Sequence, residues 1–236
     1  MSTAIVYAHT PDGFVVAADG RARDAESKQI RSDIIQKIFH TKVGRFSLVY
    51  AWSGETTFFR KDGTVLLDLN VATATILQSL ISTDINSFCE LIQSFSKQFT
   101  VLFDDAPASM FSKKEVAKVL FVGYFYDEPC RASIVFNRGA VTGMVPKITK
   151  LDAPMRIKFK VFTGSQEACR FSTLGQSLPL SGQDAASRMR EYIRLCFIHR
   201  DPPLDCENPI GGHIHIGQLN PSGFSWIDRP IEHKEC

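Results

Sequence analysis

Two apolar runs, residues 3–9 and 14–19, flank Thr10-Pro11-Asp12-Gly13 near the start of the chain. Pro at the second turn position and Gly at the fourth leave a β-hairpin as the local fold, with a type I turn closed by a left-handed Gly bulge. That turn sets a register in which Thr10 faces Phe14, Ile5 faces Asp19 and Thr3 faces Arg21. Facing residues share a sheet face. Thr3, Asp19 and Arg21 are therefore expected together, a hydroxyl beside a carboxylate and a guanidinium. An α-amine titrates near pH 7.7–8.0, the range of a general base at neutral pH. A Thr at a chain start carries nucleophile and base in one residue. Taken alone, the pattern favours an ordinary hairpin with a surface Thr.

The next segments read as strands and turns. Residues 22–32 are charged and aperiodic, a loop. Residues 34–39 and 46–52 read as strands joined through residues 40–45. Lys37 falls inside the first, and an unpaired buried ammonium is costly, so Asp19 is its expected partner if the strands are neighbours. Ser53-Gly54 ends the second strand, where a Gly N–H can approach a substrate oxygen closely. The alternative is a plain turn.

Residues 71–81 and 85–103 carry helical periodicity, the second with Ile85, Phe88, Cys89, Ile92 and Phe95 on one stripe and Asp84 as N-cap. Residues 116–126 and 132–136 are strands about an Asp127-Glu128-Pro129-Cys130 turn. A strand over 157–163 ends in Gly164-Ser165. Residues 166–171 start a short helix. Residues 183–199 form a longer one capped by Ser181, with Ala186, Met189, Tyr192, Ile193 and Cys196 on one face. Arg200-Asp201 and Pro202-Pro203 follow and stop it. Strands over 213–219 and 224–227 close the chain. Two antiparallel sheets covered by helix pairs would bury both sheets, and no linker divides the chain.

Lys and Arg number 27 against 25 Asp and Glu. This balance gives no electrostatic support to nucleic-acid binding. No apolar run reaches membrane-spanning length, and the N-terminus lacks a signal-peptide pattern. Cys89, Cys130, Cys169, Cys196, Cys206 and Cys236 are scattered without a C-x-x-C pair, and read as reduced thiols of a cytoplasmic protein. His213-x-His215, with Cys206 nearby, invites a metal reading. Without a further ligand a partly exposed strand face is preferred, and no metal or cofactor is expected.

The residues also carry a family likeness. Thr3-Ala4-Ile5-Val6, Asp12-Gly13 and Ala17-Ala18-Asp19-Gly20-Arg21 resemble the opening of β-type subunits of the proteasome, and of N-terminal-nucleophile hydrolases more widely. Gln36-Lys37-Ile38-Phe39 is similar to the family's strand with its active-site lysine. Trp52-Ser53-Gly54 is similar to its Ser-Gly, whose glycine supplies the oxyanion amide. Gly164-Ser165, Arg200-Asp201 and Gly211-Gly212 look like later family motifs, in the right order.

The resemblance implies an α+β fold, a four-layer αββα sandwich, with residues 1–236 as one domain. It implies Thr3 as nucleophile, Lys37 as the charge that favours its deprotonation, Asp19 as the partner of Lys37 and Gly54 as oxyanion donor. Ser165 and Asp201 would support the α-amine. The activity implied is that of a threonine-type peptidase in a self-compartmentalising ring of identical subunits. It would act on peptides or unfolded protein, with an ATP-dependent unfoldase as a further partner and neither nucleic acid nor membrane involved. Removal of Met1 and Ser2 is expected to expose Thr3, with Ser2 as a rival nucleophile. A catalytically silent ring-forming protein and a small-molecule amidase are the alternative functions.

Overall fold

In the computed structural model the described residues are 3–23, 29–54, 56–60, 62–82, 85–103, 114–139, 144–151, 159–199 and 210–231. In chain order the elements are β1 (Ile5–Thr10), β2 (Gly13–Asp19), β3 (Ala22–Arg23), β4 (Ile30–Ser32), β5 (Ile38–Val43), β6 (Phe46–Gly54), β7 (Thr57–Phe59) and β8 (Val65–Asp68). Helices α1 (Leu69–Ser79) and α2 (Phe88–Val101) follow, then β9 (Glu115–Phe125), β10 (Glu128–Arg138), β11 (Met144–Leu151) and β12 (Lys160–Thr163). Helices α3 (Gln166–Phe171) and α4 (Gly182–Ile198) precede β13 (Ile214–Asn220) and β14 (Gly223–Asp228). The chain is thus mixed α and β. It divides into two compact units, Met1–Phe39 with Pro154–Cys236, and His40–Ala153. Among the described residues no helix is long and apolar enough to cross a membrane.

The first unit holds an antiparallel sheet in the order β12-β1-β2-β13-β14. The β1–β2 register pairs Thr10 with Gly13 and Ile5 with Ala18, one residue away from the expected pairing. The loop is shorter than a bulged turn because Thr10 closes it directly. Its Oγ1 accepts the Asp12 N–H at 3.1 Å and donates to the Gly13 carbonyl at 3.0 Å. Gly13 pairs as a strand residue at φ +117°, and a Cβ there would lie 2.3 Å from the Leu219 carbonyl oxygen of β13. Close approach of β13 and the positive φ together require this glycine.

Helix α4 starts where expected, with the Ser181 hydroxyl accepting the Asp184 N–H. Its stripe of Ala185, Ala186, Met189, Tyr192, Ile193 and Cys196 recurs at helical spacing and packs on Val6 and Ala8 of β1, on Ala4 just before it, and on Val15 and Ala17 of β2. Small residues on the strands let the helix lie close. Helix α3 runs over the expected residues, capped by Ser165.

The second unit holds the order β11-β10-β9-β6-β5. Its core is aromatic. Trp52 of β6 stacks on Phe99 of α2 at 5.2 Å and on Phe136 of β10 at 5.8 Å. The Trp52 Nε1–H donates to Thr73 Oγ1 of α1 at 3.0 Å, and that hydroxyl donates to the Leu69 carbonyl.

Several expectations are corrected. The strand expected over 34–39 begins at Ile38, because the backbone donors of Ile35 and Lys37 are used elsewhere, on the Gly20 carbonyl and the His215 ring. Part of the loop over 22–32 forms the short ribbon β3–β4. The segment before α1, ambiguous in the sequence apart from a turn expected at residues 61–63, forms the ribbon β7–β8 and does turn at Gly63 (φ +83°). Helix α2 begins at Phe88 with Ser87 as its cap; Asp84 lies outside the described residues. The turn expected over 127–130 is a tighter one at Tyr126 and Asp127, both at positive φ, so β10 starts at Glu128. Strand β11 was not anticipated. It carries Pro146, and it lies at the sheet edge, the part of a sheet that tolerates proline.

Candidate active site

Asp19 ends β2 and is 0% exposed. A buried carboxylate needs donors, and it has them. Oδ1 accepts the Ala4 N–H at 2.8 Å and the Lys37 ammonium at 3.1 Å. Oδ2 accepts the N–H groups of Arg21 and Gly211, each at 3.2 Å. The Gly211 bond draws the chain leading into β13 onto the end of β2.

Lys37 reaches in from the segment before β5, its side chain 10% exposed. An ammonium has three N–H donors. Nζ lies 2.6 Å from the Arg21 carbonyl, 3.1 Å from Asp19 Oδ1 and 3.4 Å from Thr3 Oγ1. Burial pushes the Lys37 pKa down, and the Asp19 charge and hydrogen bond act against that fall. The Arg21 guanidinium is taken up by Asp33, at 2.6 and 3.0 Å, and lies 5.3 Å from the Phe197 ring. Arg21 therefore serves the Lys37 ammonium through its carbonyl, which is not the role its sheet position suggested.

Thr3 is 6% exposed, two residues before the first residue of β1. The structure thus brings Thr3, Asp19 and Lys37 together. Ser165 lies two residues past Thr163, which pairs with Ile5. Its hydroxyl accepts the Ala168 N–H as the cap of α3 and donates to the His199 carbonyl at the end of α4. Gly54 lies in the second unit, the last residue of β6 at φ +105°, opposite Ala117. Asp201 lies outside the described residues.

His215 has a place that the sequence did not suggest. It is 1% exposed on β13, and its Nε2 accepts the Lys37 backbone N–H at 3.0 Å. That bond assigns the ring proton to Nδ1. Burial, then the charges of Lys37 and His213, push its pKa down to about 3. The His213 Nε2 instead meets the Arg229 carbonyl, so the two rings serve different partners. Among the described residues no three His, Cys, Asp or Glu side chains gather as for a metal ion.

Chemically, the cluster sets a cation beside a hydroxyl near the start of the chain. A cation at that distance favours the alkoxide over the alcohol.

No family model matches the sequence, and no curated protein matches it. Solved structures do match. Anbu from Hyphomicrobium sp. strain MC1, as a Gly-1 mutant, superposes with a TM-score of 0.62 at 12% identity, covering 99% of this chain and 88% of that one. The helical assembly of the Anbu complex from Pseudomonas aeruginosa gives 0.59 at 15% identity, with 99% and 88% covered. Anbu from Yersinia bercovieri, described as an ancestral beta-subunit, gives 0.56 at 12% identity, with 96% and 87% covered. At these identities the likeness is one of fold.

The fold is thus Anbu-like, and this corrects the resemblance drawn from the sequence. The likeness to proteasome β-type subunits and to N-terminal-nucleophile hydrolases at large gives way to a likeness to Anbu. The short motifs quoted for it, Ala-Ala-Asp-x-Arg and Ser-Gly among them, sit at strand ends. Such positions answer to the geometry of a fold and do not discriminate between branches that share it.

Proposed function

We propose that this chain is a threonine-type peptide hydrolase, with Thr3 as its N-terminal nucleophile. The observation that carries the reading is the Lys37 ammonium, held between Asp19 Oδ1 and Thr3 Oγ1. Asp19 is already satisfied by the backbone N–H groups of Ala4, Arg21 and Gly211, so folding by itself does not call for a costly, almost buried ammonium beside it. In this reading the bonds before Thr3 are cut, freeing its amine. The amine takes the hydroxyl proton while Oγ1 attacks the scissile carbonyl carbon. It then gives that proton to the departing amine, leaving an acyl ester on Thr3. Water, deprotonated by the same amine, attacks the ester; the acid leaves and Thr3 is restored. Lys37 lowers the cost of negative charge on Oγ1, and Asp19 holds Lys37 in place. Ser165 and Asp201 are assigned to the Thr3 amine. The four-layer sandwich and the single domain over 1–236 belong to the same proposal.

We further propose that copies of the chain assemble and enclose the sites, acting on peptides or unfolded protein. The Anbu-like fold supports this, since one solved neighbour is a helical assembly. Light scattering is expected to give a particle several times the chain mass of 26.4 kDa. A stable monomer at micromolar concentration defeats the compartment.

The chemistry is tested by intact-mass and peptide analysis after treatment with a threonine-directed electrophile. The expected result is a chain that begins at Thr3 and carries one adduct there, absent from Thr3→Ala. A chain that keeps Met1-Ser2 and takes no label overturns the reading in favour of a silent assembling protein. A label on Ser2 moves the nucleophile by one residue.

A further inference from the structure

We infer that His215 is a positioning residue for Lys37: its neutral ring accepts the Lys37 backbone N–H at Nε2 and thereby fixes where the ammonium meets Thr3 Oγ1. The inference deepens the reading above and rests on it for its catalytic consequence alone.

Residues 34–37 belong to no strand, so nothing in a regular ladder holds them. They are tied down by bonds to the ends of β2 and β13. The Ile35 N–H donates to the Gly20 carbonyl at 2.8 Å, and the neighbouring Asp33 carbonyl accepts the His213 N–H at 2.7 Å. The bond at Lys37 itself goes to a side chain, the His215 imidazole, at 3.0 Å. Lys37 is thus gripped at both ends, by His215 at the backbone and by Asp19, Arg21 and Thr3 at Nζ.

The grip is rigid. His215 is inside a ladder, paired with Ala18, one residue from Asp19. The strand that carries the acceptor for the Lys37 backbone is therefore bonded to the strand that carries the partner of its ammonium. Trp226 of β14 closes on the imidazole edge to face at a centroid distance of 6.2 Å. An imidazole acceptor has one property that a carbonyl lacks: it exists only while the ring is neutral. Burial and the charge of Lys37 itself keep it neutral. A charged ring would lose its acceptor and set a second cation beside the first.

Loss of this tether frees the segment that carries the ammonium, and a displacement of about 1 Å in a catalytic group costs on the order of 100-fold in rate. The test compares His215→Leu, which has no acceptor, with His215→Gln, whose Oε1 extends about as far as Nε2. With a peptide reporter, His215→Leu is expected to lower kcat roughly 10- to 100-fold with KM little changed. His215→Gln is expected to recover most of that loss. Equal losses in the two variants, or none in either, overturn the inference.

A second readout needs no hydrolase activity. Acetic anhydride should acetylate Lys37 faster in folded His215→Leu than in wild type and His215→Gln, and equal rates overturn the inference. If wild type hydrolyses nothing and takes no label at Thr3, the peptidase reading fails while the acetylation rates still decide the role of His215. Should His215→Leu not fold, nitrogen NMR of the wild-type ring decides. A protonated Nδ1 and a bare Nε2 support the tether, and a protonated Nε2 ends it.

Discussion

Lys37 and Asp19 meet at 3.1 Å in the first unit, but they do not depend on each other equally. Asp19 also holds the N–H groups of Ala4, Arg21 and Gly211. Lys37 has Asp19 as its charged partner and two neutral oxygens besides. Removing the lysine leaves a carboxylate that is still solvated by backbone. Removing the aspartate leaves a buried cation and three backbone donors without their acceptor.

The two substitutions should therefore differ in kind. Lys37→Ala is expected to stay folded and to lose Thr3 labelling by about 100-fold or more. Asp19→Ala is expected to cost about 3–5 kcal/mol, the usual cost of stranding one half of a buried pair. Urea titrations of both variants check the order. Lys37→Ala as the less stable variant contradicts this account of Asp19, and near-normal labelling of Lys37→Ala excludes the proposed electrostatic role.

Acid stability should report on His215. Its pKa is about 3 in the fold, depressed by burial and by Lys37 and His213, against about 6.5 in an unfolded chain. Between those values the unfolded chain binds a proton that the folded one refuses. Stability conferred by the neutral ring is therefore complete above pH 6.5 and falls as the pH drops toward 3, by at most about 1.4 kcal/mol per pH unit. His215→Gln lacks this term, so its unfolding free energy should fall less than that of wild type between pH 6 and 4.5. Parallel curves would show that the ring is not held neutral.

Gly164 is expected to resist substitution. It sits at φ +153°, and a Cβ would lie 2.2 Å from the Tyr192 hydroxyl oxygen. That hydroxyl donates to the Ser165 carbonyl at 3.2 Å. Gly164→Ala should cost about 1–3 kcal/mol through overpacking and backbone strain. Adding Tyr192→Phe removes the 2.2 Å contact but leaves the ring carbon at 3.1 Å and the strain, so thermal melts should show partial rescue; no rescue at all means the hydroxyl contact was not the cause.

In the second unit, Thr73→Val should strand the Trp52 Nε1–H, whose acceptor is the Thr73 hydroxyl at 3.0 Å. A buried donor left unpaired costs about 1–3 kcal/mol. Thr73→Ser keeps the oxygen and should be milder, as chemical denaturation will show.

What the sequence made legible follows from what periodicity and caps encode. Helix α4 is readable because Ser181 and a helical stripe of Ala, Met, Tyr and Ile declare its start and its buried face. The Asp19–Lys37 pair is readable because a lysine amid apolar residues needs a buried anion, and Asp19 ends an apolar strand. Their assigned roles rest on proposal. The hairpin register is missed by one residue because Thr10 and Gly13 close a shorter loop than Pro11 and Gly13 suggest. Strand β11 is missed because Pro146 is a strand breaker everywhere except at an edge, and edges are a property of the assembled sheet. His215 is missed because alternation tells which face a ring is on and not that an irregular segment 178 residues upstream will offer it an N–H.

That separation has a consequence for how the protein is made. The Asp19 carboxylate takes a donor from Gly211, 192 residues later in the chain, and Lys37 waits for a ring 178 residues further on. Contacts of such separation form late, after their loop-closure cost has been met. A chain still emerging from the ribosome has made Thr3, Asp19 and Lys37 early, but it lacks the strand that orders them. The hydroxyl and the cation that face it are drawn into register only after β13 has been made, so the cluster stays unassembled while its own unfolded chain is the nearest polypeptide.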